Sequence, residues 1–318
     1  MALDAALNTF RAIGEETRLR IMVLLIRGEL TVSEITAILG QSQPRVSRHL
    51  KILADAGLAE RHREGAWMFY RASATGGDPS CEAVIAAARA IGEAGDRLLA
   101  RDAERFEQTR QARAAQAAAY FEANAREWSR LRALHLPEQD IEARILALAD
   151  DAPMDIFVDL GTGTGRMLEI FADRYQSAVG YDLSHEMLAI ARANLDRAGV
   201  THAQVRHGDL FSLPLEDRYA DVACLHQVLH YLAEPGAAVT EAARILKKGG
   251  RLIISDFAPH DLEFLREEHA HRRLGFSDAE VADWCDASGL KLDKVETLTP
   301  SPGDRERLTV KIWRCIAP

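Results

Sequence analysis

Ile156-Phe157-Val158-Asp159-Leu160-Gly161-Thr162-Gly163-Thr164-Gly165 decides how the larger part of this 318-residue chain is read. The first five residues are mostly apolar and short enough for a strand buried on both faces. Glycines then recur at every second position, and a helical pattern starts at Arg166. Such a turn brings free backbone N–H groups to the carboxyl end of a strand, and its glycines let a ligand approach the main chain. Ala178-Val179-Gly180-Tyr181-Asp182 reads as the second strand. Its acidic end falls 17 residues after Gly165, where a ribose-binding carboxylate belongs. His207-Gly208-Asp209-Leu210 is a third acidic strand end and a candidate adenine contact. Taken alone, the glycine loop also suits NAD. The dinucleotide pattern, however, wants its last glycine at position 166, which is Arg166, and a Walker loop would need Gly-Lys-Ser/Thr.

Outward from this stretch, apolar runs alternate with amphipathic helices from Met154 on, the pattern of an α/β sheet. Asp221 to Leu225 is the fourth strand. Leu246-Lys247-Lys248-Gly249-Gly250-Arg251-Leu252-Ile253-Ile254 reads as helix end, turn and fifth strand. Ser277-Asp278-Ala279-Glu280 is a capping box, and Leu290–Thr297 with Arg307–Ile316 makes a terminal antiparallel pair. The whole set resembles the class I S-adenosylmethionine (SAM) methyltransferases over about residues 119–318. The resemblance rests on Val158 to Gly165, Tyr181-Asp182-Leu183-Ser184 and Gly208-Asp209-Leu210. It implies a Rossmann-like sheet that binds SAM or S-adenosylhomocysteine (SAH). Gly161, Gly163 and Gly165 would line the methionine moiety, with Thr162 in the same cofactor set. Asp159 would support its ammonium and Asp182 would take both ribose hydroxyls. Asp209 would face the adenine amine, Leu183, Met187 and Leu210 would pack its ring, and His226 would sit at the methyl-donor mouth.

The head of the chain has a different texture. Arg18 to Leu25 reads as an amphipathic helix and Ser33 to Leu39 as a second, ended by Gly40. Ser42 is an N-cap and Pro44 lies in the first turn, where its missing N–H costs nothing. Val46, Leu50 and Leu53 then share one face, and Gln43, Arg45, Ser47, Arg48 and Lys51 occupy the opposite face. Ala59–Arg63 and Trp67–Arg71, joined through Glu64-Gly65, form a hairpin with basic ends. Helix, turn, polar-basic helix and basic hairpin suit a reader of double-stranded DNA. The helix meets base edges in the major groove, and Arg61 and Arg63 on the wing meet phosphates. Residues 3–72 resemble the ArsR/SmtB winged-helix repressors through Glu16-Thr17-Arg18-Leu19-Arg20-Ile21 and Ser42 to Leu50. The thiol metal site of that family would need a Cys pair before the recognition helix, where this chain has Val32-Ser33-Glu34-Ile35.

Composition agrees with a two-part globular protein. The chain is 47% hydrophobic and 27% charged, which excludes a collagenous or wholly disordered chain. Its net charge of −9 argues against indiscriminate nucleic-acid binding. Residues 1–75 nevertheless hold ten Lys+Arg against eight Asp+Glu, so a slightly basic head sits on an acidic body. Asp4 and Arg11 interrupt the start, no run approaches a membrane span, and Cys81, Cys224, Cys285 and Cys315 have no disulfide-framework or metal spacing. A reduced, cytoplasmic protein without membrane or metal is the expectation. His260, Glu263, Glu267 and His271 have roughly helical spacing, which suits a solvated lid helix better than a metal site.

The expected division is a winged helix-turn-helix domain over 1–75, a linker or dimerisation helix over 76–118, and a SAM-binding domain over 119–318. Thr75-Gly76-Gly77-Asp78-Pro79 is the punctuation, residues 80–118 read as one long helix, and Tyr120 to Leu136 reads as a lid. Methyl transfer can proceed by proximity alone, so a sensing pocket and an enzyme look the same in sequence. The combined architecture resembles methionine-cycle repressors that sense SAM or SAH, which implies a homodimeric, ligand-responsive regulator. The alternative is an active small-molecule methyltransferase with a regulatory head. The arsenite methyltransferases match poorly, because their cysteine triad has no counterpart.

Overall fold

The computed structural model describes residues 2–64, 67–73, 79–123, 136–150, 154–269, 271–300 and 307–318. The chain divides into two compact units, Met1–Ala115 and Gln116–Pro318. Thr75 to Asp78 of the expected linker, the tip of the hairpin at Gly65 and all but the ends of the expected lid lie outside the described residues.

The first unit holds α1 (Ala2–Ile13), α2 (Glu16–Arg27), β1 (Leu30–Thr31), α3 (Val32–Leu39), α4 (Gln43–Asp55), β2 (Ala59–Glu64), β3 (Trp67–Ala72), α5 (Pro79–Glu93) and the start of α6 (Arg97–Ala123). β2 and β3 pair antiparallel with Arg61 opposite Tyr70, and β1 adds to β3, making the three-stranded sheet of a winged helix. α2 is not amphipathic. Thr17 and the whole run Arg20 to Leu25 are buried, because the helix lies at the centre of this unit. Arg20 is tolerated there because Asp102 on α6 accepts from its guanidinium twice, at 2.7 and 3.0 Å.

The single helix expected over 80–118 is two helices, α5 and α6. Gly95 turns the chain at φ +81°, and Asp96 then caps α6 by accepting from Leu98 and Leu99 N–H. Cys81, Val84, Ala88, Leu99 and Phe106 sink into the same core as the reader helices. α6 is also tied to α3 at both ends. Arg105 donates to Ile38 O at 2.8 Å, and Arg113 makes a bidentate pair with Glu34 at 3.0 and 2.8 Å. Glu34 belongs to a capping box with Thr31 that starts α3.

The second unit is built on a seven-stranded sheet of β4 (Met154–Leu160), β5 (Tyr175–Asp182), β6 (Ala203–His207), β7 (Ala220–His226), β8 (Leu246–Phe257), β9 (Lys291–Leu298) and β10 (Val310–Ile316). Its order is β6-β5-β4-β7-β8-β10-β9. The first five are parallel, and β10 runs antiparallel to both β8 and β9. α7 (Glu138–Leu148), α8 (Arg166–Ile170), α9 (His185–Ala198), α10 (Pro235–Ile245), α11 (Phe264–Glu268) and α12 (Asp278–Ala287) complete it.

Successive residues of β4 feed opposite cores. Phe157 joins Ile141, Ile145 and Leu188 on one face, and Val158 joins Val239, Val281 and Trp313 on the other. This is the expected Rossmann-like sheet. The chain leaves β4 toward β5 on one side and returns at β7 on the other, so the crevice at the strands' carboxyl ends opens beside β4.

Candidate functional site

In the first unit, α4 carries the candidate nucleic-acid face. Val46, Leu50 and Leu53 are fully buried, so the helical period turns Gln43, Arg45, Ser47, Arg48 and Lys51 outward, and all five are exposed. Arg61 and Arg63 are exposed on β2, and Trp67 is 55% exposed beside the hairpin tip. Sequence reasoning had passed over Trp67, which sits where wing cations would meet a phosphate backbone. Arg45, Arg48, Lys51 and Arg61 have no carboxylate partner among the described residues. Ser42 is the N-cap of α4, but its side chain makes no capping bond. Pro44 removes one of the two N–H groups that such a cap could reach, and Arg45 N–H goes to Ser42 O instead.

In the second unit, the glycine loop follows β4 at the crevice. Gly161 and Thr162 both donate their N–H to Tyr181 O, at 2.8 and 2.9 Å, which ties the loop to the end of β5. Gly161 has φ +76°, and a Cβ there would lie 2.4 Å from Val228 Cγ2. Gly163 has φ +52°, and a Cβ there would meet nothing within 4 Å, so it opens on free space. Gly165 is the N-cap of α8, which starts at Arg166 as expected and is five residues long.

The acidic strand ends surround this loop. Asp182 accepts Gly163 N–H on one oxygen and Ser184 N–H on the other, both at 2.9 Å, leaving a lone pair on each. Asp209 is exposed at the end of β6, and one of its oxygens accepts Phe211 N–H at 3.0 Å. Leu183 is 57% exposed, Met187 half-buried and Leu210 buried, so only Leu183 of the three stands fully open. His226 is half-buried at the end of β7, opposite Ser255 of β8.

Asp159 is buried beneath the loop and accepts the Thr162 hydroxyl at 2.6 Å. Burial pushes its carboxyl up to about 7; the Thr162 bond opposes the shift and the nearby Asp182 adds to it. Among the described residues neither Asp159 nor Asp182 is paired with Lys or Arg. Arg166, the nearest cation in sequence, is held by Glu142 in a bidentate pair at 2.6 Å and by Glu169 at 3.1 Å. The loop is therefore an acidic cradle. It fits a ligand carrying an ammonium and a sulfonium, as the class I resemblance implies, and it disfavours the pyrophosphate of a dinucleotide.

The remaining candidates fall out differently. His260 and His271 lie outside α11, so with Glu263 and Glu267 they form no common helical face. Among the described residues no group of three His, Cys, Asp or Glu could hold a metal ion. His230 pairs with buried Asp256 at 2.8 Å. All four cysteines are buried, and burial pushes the Cys224 thiol well up. No described helix is long and apolar enough to cross a membrane.

Comparison with known proteins agrees with the two units. The arsR family of bacterial regulatory proteins matches residues 15–61, and the methyltransferase domain family matches residues 158–254. A Streptomyces lividans protein named as a probable mercury resistance operon repressor is 36% identical over 88 residues, covering 28% of this chain and 67% of that one. The arsenite methyltransferase of Aquipseudomonas alcaligenes is 33% identical over 156 residues, 40% of this chain and 45% of that protein. Four of the relatives matched, this enzyme among them, are spanned over only 33% to 57% of their own length. A Bacillus halodurans candidate methyltransferase superposes with a TM-score of 0.50 at 17% identity, over 56% of this chain and 98% of that one, which speaks for the fold. The chain thus belongs to the arsR family of bacterial regulatory proteins through its N-terminal unit, and its C-terminal unit is a methyltransferase domain of class I fold.

Proposed function

We propose that the protein is a cytoplasmic, DNA-binding transcriptional regulator whose methyltransferase domain binds SAM or SAH as effector, and that it controls genes of the methionine and SAM cycle. The observation that carries this reading is the clamp between α6 and α3. Arg105 and Arg113 hold both ends of α3, and Asp102 holds the centre of α2. The boundary between the two units falls within α6. A ligand that shifts α6 therefore acts on the helix-turn-helix directly. Coupling of ~1–3 kcal/mol is typical of such linkage.

In this reading the residues keep the roles that the resemblance implies. Gln43, Arg45, Ser47, Arg48 and Lys51 read bases and Arg61 and Arg63 meet phosphates. Asp159, Gly161, Thr162, Gly163, Gly165, Asp182, Leu183, Met187, Asp209, Leu210 and His226 hold the cofactor. Residues 76–118 serve as linker and dimerisation segment between a reader at 1–75 and a cofactor domain at 119–318. A homodimer is supported by α1, where Leu3, Leu7 and Phe10 are exposed at helical spacing, and by exposed Ile91 on α5, which packs beside α1.

The test titrates DNA selected by the protein from a random pool, without ligand, with SAM and with SAH. Curves displaced by one ligand, and a reciprocal change in that ligand's affinity on adding DNA, are expected. Three superimposable curves with measurable methyl transfer would favour the second reading, an active small-molecule methyltransferase. Of the four buried cysteines, Cys285 and Cys315 meet with their sulfurs 2.8 Å apart, whereas Cys224 and Cys81 lie in two other cores, so the chain brings together a pair and not a triad of thiols.

A further inference from the structure

Cys285, in the last turn of α12, and Cys315, on β10, are both fully buried, and their sulfurs lie 2.8 Å apart although 30 residues separate them in sequence. Each element turns its thiol toward the other by its own period. On α12, Val281 and Cys285 stand one turn apart and both are buried. On β10, Lys311, Trp313 and Cys315 fall on one side of the strand, because successive side chains alternate. Asp278, in the first turn of α12, accepts from Lys311 Nζ at 2.5 Å and from Trp313 Nε1 at 2.8 Å. Asp278 and Cys285 are about two helical turns apart. The helix thus lies along β10, with the carboxylate contacts at one end and the thiols at the other. On its far side, Ser288 Oγ lies 2.9 Å from Thr240 Oγ1 of α10.

Bringing the two sulfurs to a bond of ~2.05 Å asks for under about 1 Å of movement between elements that are already held. A metal ion is not what the pair is built for. Among the described residues no group of three His, Cys, Asp or Glu could hold one. The other cysteines supply the contrast, since Cys224 lies in the core on the opposite face of the sheet and Cys81 in the first unit. The paired thiols are also unequal. The hydrogen bond from Cys315 holds the Cys285 thiol below its ordinary value, against the opposing effect of burial. The same bond, and burial after it, push the Cys315 thiol up. Cys285 is the nucleophile of the two.

We infer that Cys285 and Cys315 are a redox modification site that closes an internal disulfide when the protein meets a peroxide, and that this bond pins α12 to β10. The Cys285 sulfur attacks one peroxide oxygen and the O–O bond breaks. The second oxygen keeps the electron pair, takes the Cys285 proton and leaves as water. The Cys315 sulfur then attacks the sulfenic sulfur, the S–O bond breaks, and the hydroxyl takes the Cys315 proton and leaves as a second water. The two thiols lose two electrons and one peroxide gains them. Entry requires local opening only, because Cys285 lies one turn from the end of α12 and helix ends open well below the global free energy. A thiol reductant reverses the step by exchange, so in a reducing compartment the bond is transient. β10 lies three strands from β4 in the sheet, roughly 14 Å at ~4.8 Å per strand, so the inference does not depend on what the glycine cradle binds.

The test treats the reduced full chain with hydrogen peroxide and counts thiols after unfolding in denaturant. Four are expected before treatment and two after it, with a peptide cross-linked between Cys285 and Cys315 in the mass spectrum and a return to four with dithiothreitol. The thermal midpoint of the second unit should rise by about 5–15 °C on oxidation, because the bond closes a long loop in the unfolded chain. Cys285→Ala and Cys315→Ala should each lose the cross-link and the rise, whereas Cys81→Ala and Cys224→Ala should keep both. If an alanine variant fails to fold, the peptide map of the wild-type chain still decides. Four free thiols after treatment, sulfinic acid at Cys285 without a cross-link, or a cross-link made through Cys81 or Cys224 overturns the site. A cross-linked chain that melts no higher than the reduced one overturns the pinning of α12.

Discussion

The outer face of α4 and the glycine cradle after β4 both leave charge unpaired, with opposite sign and in opposite surroundings. On α4 the cations Arg45, Arg48 and Lys51 are exposed, so water solvates them and their lack of a partner costs little. At the cradle the carboxylates are Asp182, half-buried, and Asp159, fully buried, where loss of water is expensive enough to push the Asp159 carboxyl up to about 7. The first surface waits for a polyanion that arrives over many contacts. The second waits for a single cation that fits. On the proposed reading a DNA-binding surface is stable when empty, whereas the cradle carries a burial penalty that a cationic ligand would relieve.

Removing Asp182 should break this contrast most severely. Asp182→Ala deletes two ribose bonds worth ~3–6 kcal/mol together, at ~1.5–3 each for a charged acceptor. It also frees Gly163 N–H and Ser184 N–H, so the loop loosens as well. SAH binding by calorimetry should fall below detection while DNA binding by the first unit persists. Retention of wild-type SAH affinity would place the pocket elsewhere.

Substitutions on α4 should have smaller effects, because no single cation carries the surface. Arg48→Ala should lose ~1–3 kcal/mol on specific DNA if it makes a bidentate base contact. Arg63→Ala should weaken all sequences alike and reduce the slope of affinity against salt. Electrophoretic mobility titrations over a salt series distinguish the two patterns. Equal affinity to wild type in both variants would remove the reader assignment.

A more gradual effect is a slope with pH. The folded pKa of Asp159 lies above its unfolded value, so between about pH 4 and 7 the folded state holds more of this proton than the unfolded state. This contribution to stability is present in full below pH 4 and is lost as pH rises through 7, by at most ~1.4 kcal/mol per pH unit. Asp159→Asn should flatten that slope and stabilise the empty domain at pH 8, read as denaturant midpoints from pH 5 to 8. Saturating SAM should flatten the wild-type slope too, by supplying the missing positive charge. An identical slope in the variant would show that Asp159 does not titrate in this range.

Much of both regions was legible before the structure. Val46, Leu50 and Leu53 at helical spacing oriented α4, since a buried stripe forces the rest outward. The alternation of strands and glycine turns located the cradle, because a strand-to-helix turn that opens on free space at Gly163 has few sequences to choose from. Where reading failed, the partner was distant in sequence. Arg20 looked like the polar side of an amphipathic helix until Asp102, 82 residues away, took it into the core. The break at Gly95-Asp96 was present in the sequence as a stop and a cap, but the alanine-rich flanks outweighed it.

The sequence by itself determined the periodic and local features: the buried faces of the helices, the caps at Ser277 and Gly40, the order of strands along the chain and the acid at each strand end. These depend on residues within one or two turns of each other, whose geometry the backbone dictates. Only the tertiary structure decided which charges meet. It gave Arg166 to Glu142, Arg113 to Glu34 and His230 to Asp256, and left Asp159 and Asp182 without a cation among the described residues. Those outcomes depend on which elements pack together, because a charge is stabilised or penalised by whatever comes within a few ångströms of it and by how much water remains.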